Sequence, residues 1–122
     1  MKTVLSIGQC NPDHSRITAL CEKHFEAAIE TADSHAEATQ MAVSKTYDLI
    51  LVNRVLDATG SGGLDIIKEL VADEKFTAPL MLVSNYPESQ AEAVAAGAVQ
   101  GFGKAELDKP STLEMLGAYL KD

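Results

Sequence analysis

Three polar side chains follow short apolar runs in this sequence, each close to the point where a buried strand would end. Asn53 ends the run LILVN, Ser84 follows LMLV, and Lys104 comes two residues after VQGF. An amide, a hydroxyl and an ammonium group can together donate hydrogen bonds to an anion. None of the three is a carboxylate, which is the ligand that Mg²⁺ prefers. Their types therefore favour the binding of an anion over that of a metal ion.

The elements that must position these residues alternate along the chain as strand-like and helix-like segments with short connections. Parallel strands require helical crossovers, and those helices cover both faces of the sheet. We predict an α/β fold: a (βα)5 doubly wound, parallel five-stranded sheet of the flavodoxin-like kind, with strand order 2-1-3-4-5. Residues 1–122 are expected to form a single domain. The predicted strands cover residues 2–7, 27–32, 49–52, 79–83 and 98–102.

Capping and turn residues mark several helix ends. The Ser34–Glu37 and Ser111–Glu114 pairs are spaced as capping boxes at the starts of the second and last helices. Gly97 is predicted to close the fourth helix.

In sheets of this kind a binding site lies outside the carboxyl ends of the strands, where the strand order reverses. The predicted order brings residues from four strand ends around one crevice, which is where function is expected. These residues are Gly8, Gln9, Cys10, Asn53, Ser84 and Lys104.

Composition excludes several classes of function. The net charge is −8 and no cluster of Lys and Arg occurs, which argues against nucleic acid as a partner. No apolar stretch is long enough to span a bilayer, and the amino terminus lacks a signal-peptide pattern. We therefore expect no membrane partner and a cytoplasmic location. The two cysteines make neither a CxxC motif nor a disulfide framework.

Three stretches in order make the chain resemble the receiver domain of two-component response regulators over essentially its whole length. They are YDLILVN, APLMLVSN and AAGAVQGFGK. The resemblance implies transfer of a phosphoryl group from a partner histidine kinase to an Asp at the end of strand 3. It also implies a Mg²⁺ held by that Asp and by two acidic residues after strand 1. A Ser or Thr and a Lys would bind the phosphoryl oxygens.

This sequence departs from that pattern at the reactive positions. Asn53 stands at the acceptor position, and Gly8 and Gln9 stand at the acidic pair, whereas Ser84 and Lys104 are retained. An acyl phosphate needs a carboxylate nucleophile, and an amide is not one. We therefore interpret the chain as a degenerate pseudo-receiver with no catalytic residue and no metal site. In this interpretation it is not an enzyme, is not phosphorylated and needs no cofactor. The loop after strand 3 is also about two residues longer than the common form.

The resemblance also implies a contact surface made by helix 4, strand 5 and helix 5. The aromatic residue expected on strand 5 is replaced by Gly101, with Phe102 beside it. Small side chains cannot report a switch by changing rotamer, so we predict a constitutive interface with another signalling protein or in a homodimer. The candidate interface residues are Ala91, Ala95, Gly101, Phe102 and Tyr119.

The crevice leaves two questions open: which group compensates Lys104, and whether the crevice itself has a function. Lys104 needs a compensating negative group if it is buried, and Asp57 or a bound anion is the predicted partner. Asp13 is interpreted as a first-turn acid that favours the dipole of helix 1. The alternative function is a sensor of a small anion, or a thiol-redox sensor that uses Cys10, Ser84 and Lys104.

Overall fold

A five-stranded parallel sheet forms the centre of the molecule, in the order β2-β1-β3-β4-β5. The computed structural model describes residues 2–121, so the two ends of the predicted domain lie outside the described residues. The predicted fold class and strand order are confirmed. The strands are β1 (Lys2–Ile7), β2 (Ala27–Ala32), β3 (Leu49–Asn53), β4 (Leu80–Val83) and β5 (Val99–Phe102).

One helix follows each strand, and a short 3-10 turn (Lys104–Glu106) lies between β5 and the last helix. The predicted cap of the second helix is confirmed, because Ser34 Oγ accepts a hydrogen bond from the Glu37 N–H at 3.1 Å. The predicted box at Ser111 is wrong, since the last helix already begins at Pro110, whose ring suits a first helical position. The helices are α1 (Asn11–Phe25), α2 (His35–Ser44), α3 (Gly63–Ala72), α4 (Pro87–Ala96) and α5 (Pro110–Leu120).

Helices cover both faces of the sheet and make two apolar layers. On one face, α2, α3 and α4 pack over side chains such as Ile7, Ile50 and Leu82. On the other face, α1 and α5 pack over side chains such as Leu51 and Met81. Every residue of β3 is buried, which explains why the four residues before Asn53 are all apolar and do not alternate with polar ones.

The loop between β3 and α3 folds back on itself. Val55 and Gly62 form an isolated antiparallel bridge, and the Leu56 N–H donates to Ser61 O at 2.8 Å. These contacts turn Leu56 inward, toward the end of β1. The longer loop noted in the sequence therefore has a defined structure at the edge of the crevice.

As for membranes, none of the helices within residues 2–121 combines the length and the apolar character that crossing a bilayer requires.

Candidate functional site

A crevice of about 440 Å³ lies at the carboxyl ends of the strands, where the sequence predicted it. It brings together the predicted site residues Cys10, Asn53, Ser84 and Lys104. Gly8 and Gln9 do not line it, although both follow β1. A second hollow of about 500 Å³ lies at the opposite end of the sheet, beside residues 44–46 and 75–78, and holds none of the predicted site residues.

Asn53 is bound to the end of β1. Its side chain is buried, with 5% of the residue exposed, and Nδ2 donates to Gly8 O at 2.9 Å. The same carbonyl oxygen accepts the Asp57 N–H at 2.9 Å. A carboxylate oxygen in place of Nδ2 would face a carbonyl oxygen with no proton between them. The site therefore uses the donor capacity of an amide, which an ionised Asp lacks.

Leu56 occupies the space beside Gly8. The leucine is 0% exposed, and a Cβ on Gly8 would lie 2.4 Å from Leu56 Cγ. Gly8 also has a φ of +74°, a conformation that residues with a side chain rarely adopt. The position at which the resemblance implies an acidic side chain therefore has no room for one. Sequence reasoning missed Leu56, although the extra loop length and the glycine were its two signals.

Lys104 pairs with Asp13. The Lys104 Nζ lies 2.8 Å from Asp13 Oδ2, and the Cys10 Sγ donates to the same oxygen at 3.1 Å. Burial raises the pKa of Asp13, but the hydrogen bonds from Lys104 and Cys10 outweigh burial and leave this pKa below its ordinary value. The stability that the pair contributes is therefore present above the unfolded-state pKa and is lost as the pH falls through the folded-state pKa.

This pair corrects two expectations from the sequence. Asp13 does more than favour the dipole of α1, because it compensates the ammonium group. Asp57 lines the crevice but makes no ion pair within residues 2–121. The Asp13–Lys104 pair is neutral as a whole, so the ammonium group of Lys104 does not need a bound anion as its partner.

Ser84 and an arginine complete the crevice. Ser84 is buried and its Oγ accepts the Tyr86 N–H at 3.1 Å. The guanidinium carbon of Arg54 lies 4.8 Å from the centre of the Tyr86 ring, which is a cation–π distance. Both residues line the crevice. Sequence reasoning missed Arg54, because a single arginine directly after a strand does not form a recognisable motif.

The two cysteines differ in environment. Cys10 lines the crevice, whereas Cys21 lies on the buried side of α1, and burial raises the pKa of its thiol to about 11. Within residues 2–121, no three His, Cys, Asp or Glu side chains are grouped closely enough to hold a metal ion.

The predicted interface residues do not all lie at the surface. Ala91 and Ala95 are exposed on α4, and Tyr119 is half-buried on α5. Phe102 is 2% exposed and packs in the layer under α1 and α5, so its assignment to an interface is wrong. Gly101 is buried as well. The candidate contact surface therefore keeps Ala91, Ala95 and Tyr119, which lie on the two helices on either side of the sheet edge formed by β5.

Comparison with known proteins gives a fold. No model of a known protein family matches the chain, and no curated protein matches it. Among solved structures, a two-component response regulator from Clostridium difficile is 23% identical, with 97% of this chain and 91% of that chain covered and a TM-score of 0.71. The BeF3-activated N-terminal receiver domain of RstA from Klebsiella pneumoniae is 17% identical, with 99% and 100% covered and a TM-score of 0.80.

A third similar structure is a response regulator from Burkholderia pseudomallei with a phosphorylated aspartic acid and a calcium ion. It is 22% identical, with 99% of this chain and 67% of that chain covered and a TM-score of 0.74. At these identities the likeness establishes the receiver fold, and the function must be argued from the site.

Proposed function

We propose that this chain is a receiver-fold signalling module that acts in the cytoplasm by binding other proteins of a two-component-type pathway, without being phosphorylated. It is not an enzyme in this proposal, and it needs no cofactor. The observation that supports the proposal most is the hydrogen bond from Asn53 Nδ2 to Gly8 O, together with the packing of the Leu56 side chain beside Gly8.

The first support is the nucleophile. Formation of an acyl phosphate requires a carboxylate oxygen that attacks phosphorus, and Asn53 offers an amide whose nitrogen is already bound to Gly8 O. The Burkholderia pseudomallei protein of the same fold contains a phosphorylated aspartic acid. Asn53 at the end of β3 therefore argues against the same chemistry in this chain.

The second support is the space next to the nucleophile. A divalent cation there would need oxygen ligands from the end of β1, and Gly8 supplies no side chain. Leu56 fills the neighbouring volume with an apolar side chain. Because an ion beside it would lose hydration without gaining ligands, binding of Mg²⁺ is disfavoured at this place.

The phosphorylation test uses acetyl phosphate with Mg²⁺ on the full chain, followed by intact-mass measurement. We expect an unchanged mass, while a response regulator that carries an acceptor Asp gains one phosphoryl group in the same mixture. An adduct that hydroxylamine removes would contradict the proposal, whichever residue carried it.

The binding surface in this proposal is formed by α4 and α5. Ala91 and Ala95 are small and exposed, so a partner's backbone can approach closely, and the exposed Val94 on the same helix adds apolar area. Tyr119 contributes a half-buried ring on α5. The partner is another signalling protein or a second copy of the chain.

A second candidate function is sensing of a small anion in the crevice, and one observation favours it. Arg54 and Lys104 both line the crevice beside the Ser84 hydroxyl. Lys104 is neutralised by Asp13 at 2.8 Å, so the wild-type chain is expected to bind phosphate only weakly. The Cys10 thiol, which donates to the same Asp13 oxygen, would make this site thiol-sensitive in the redox version of this function.

Asp13→Asn tests the anion candidate. The substitution removes the charge that holds Lys104, so we expect phosphate to bind about tenfold more tightly than to wild type, a difference of about 1.4 kcal/mol. Amide chemical shifts near Asn53, Ser84 and Lys104 report the titration. Asp57→Asn is the matched control, since Asp57 lines the crevice without pairing with Lys104, and a smaller change is expected there. Equal responses of the two variants would show that the Asp13–Lys104 pair does not control anion binding.

A further inference from the structure

The pairing of β4 with β5 is irregular at one place. Met81 is opposite Val99 and Val83 is opposite Phe102, so two steps along β4 correspond to three along β5. An extra residue of this kind leaves backbone groups without their usual ladder partners. Buried backbone groups need other partners, so the hydrogen bonds at Leu82 and Gly101 must come from elsewhere.

The side chain of Gln90 supplies them. Gln90 lies on α4 with 7% of its surface exposed, and its Oε1 accepts the Gly101 N–H at 3.2 Å. Its Nε2 lies within hydrogen-bond distance of three carbonyl oxygens, Leu82 O at 2.9 Å, Ser84 O at 3.1 Å and Phe102 O at 3.2 Å. Because Nε2 carries two protons, these three oxygens share them. A carboxamide carries the same donor and acceptor types as a peptide group. Gln90 therefore takes the place of a missing backbone pair between β4 and β5.

The absence of a side chain at Gly101 leaves room for the hydrogen bonds of Gln90. A Cβ at this position would lie 2.1 Å from Leu82 O and 3.0 Å from Gln90 Oε1. Any other residue would push β5 away from β4 and displace the carboxamide. The glycine and the glutamine together allow α4, β4 and β5 to meet at one point.

We propose that Gln90 is a positioning residue that holds α4 in one arrangement on the β4–β5 edge, so that a partner meets a preformed surface. One carboxamide connects Ser84 at the crevice, Gly101 and Phe102 on β5, and the helix that carries Ala91 and Ala95. One buried group makes all of these contacts, so α4 cannot move to another position without breaking several hydrogen bonds at once. The role for a partner rests on the proposed function, because it assumes that a protein binds at α4, whereas the hydrogen bonds of Gln90 do not depend on phosphorylation.

Amide hydrogen exchange tests whether Gln90 holds α4 against β4 and β5. Gln90→Met keeps the length and volume of the side chain but removes its hydrogen-bond donor and acceptor. The exchange rates of the Gly101 and α4 amides are therefore expected to rise at least about tenfold. The exchange rates of the β1 and β3 amides are expected to stay unchanged. Gln100→Met is the matched control. Gln100 is exposed on the same irregular strand, and within residues 2–121 the one hydrogen bond of its side chain goes to the neighbouring Gly101 O at 3.3 Å, so no change is expected.

Two outcomes would overturn the proposal: unchanged exchange at Gly101 in Gln90→Met, or an equal rise over all five strands, which indicates general destabilisation.

A measurement on the wild-type chain keeps the test independent of how well the variant folds. The side-chain amide protons of Gln90 should exchange about a hundredfold more slowly than those of Gln100. Equal rates would show that the carboxamide is not held. Phosphodonor experiments do not enter this test, so its failure and that of the proposed function are separable.

Discussion

Gly8→Ala is expected to lower the free energy of unfolding by about 3–5 kcal/mol, as backbone strain and overpacking add at one residue. The new methyl group would meet Leu56 Cγ at 2.4 Å and Leu56 Cα at 2.9 Å, and the φ of +74° is unfavourable for alanine. Relaxation requires the β3–α3 loop to move away from β1. Urea denaturation of the variant and the wild type measures the difference.

Gly60→Ala is the matched control for this prediction. Gly60 has nearly the same φ, +73°, but a Cβ there would have no atom within 4 Å from the rest of residues 2–121, its two chain neighbours aside. Only the backbone strain remains, so the expected loss is about 1–2 kcal/mol. Equal losses at the two glycines would show that Leu56 is not packed against Gly8. The larger loss at Gly8 would mean that an acidic side chain cannot simply be restored at the end of β1.

Asn53→Asp is expected to lower the free energy of unfolding by about 2–4 kcal/mol at neutral pH, and not to create a phosphorylation site. The substitution removes the hydrogen bond from Nδ2 to Gly8 O and places a negative charge against that oxygen. The folded-state pKa of the new carboxyl is thus expected to lie above its unfolded-state value. The loss is full above the folded-state pKa and shrinks as the pH falls, because the protonated acid can again donate to Gly8 O. Urea denaturation at neutral and mildly acidic pH measures it.

Asn85→Asp provides the matched control for Asn53→Asp. Asn85 is exposed, and its Oδ1 accepts the Ala105 N–H at 3.0 Å, a bond that a carboxylate can also accept. We expect a change within about 0.5 kcal/mol, as for most surface substitutions. If Asn53→Asp were as stable as this control and took up a phosphoryl group with Mg²⁺, the contact of Leu56 with Gly8 would be no barrier to receiver chemistry. The proposed function would then depend on Asn53 alone.

The predicted strands at residues 2–7 and 27–32 match β1 and β2 at both ends, and each of the other three strands differs from its prediction by one residue at one end. Val99 begins β5 where Ala98 was predicted, and Leu80 begins β4 where Pro79 was predicted. Proline lacks an N–H to donate to a strand ladder, which explains the second difference. Ser111 was assigned as a cap because the capping pattern is local, but Pro110 starts the helix one residue earlier.

The apolar runs, the helical spacing and the short connections were enough to determine the sheet, its order and the edge at which Asn53, Ser84 and Lys104 meet. These features depend on periodicity and on the rule that parallel strands need crossovers, so they can be read along the chain. The sequence alone also shows that residue 53, at the end of the third strand, is an amide and not a carboxylate.

Only the tertiary structure decided which groups pair across the site. Asp13 and not Asp57 reaches Lys104, Leu56 turns inward to Gly8, and Gln90 bridges β4 and β5. Each contact joins residues from different elements, and its distance depends on loop geometry and on an irregular strand register that have no local pattern in the sequence. Side-chain types state which hydrogen bonds and ion pairs are possible, whereas the packing of the elements selects the few that form.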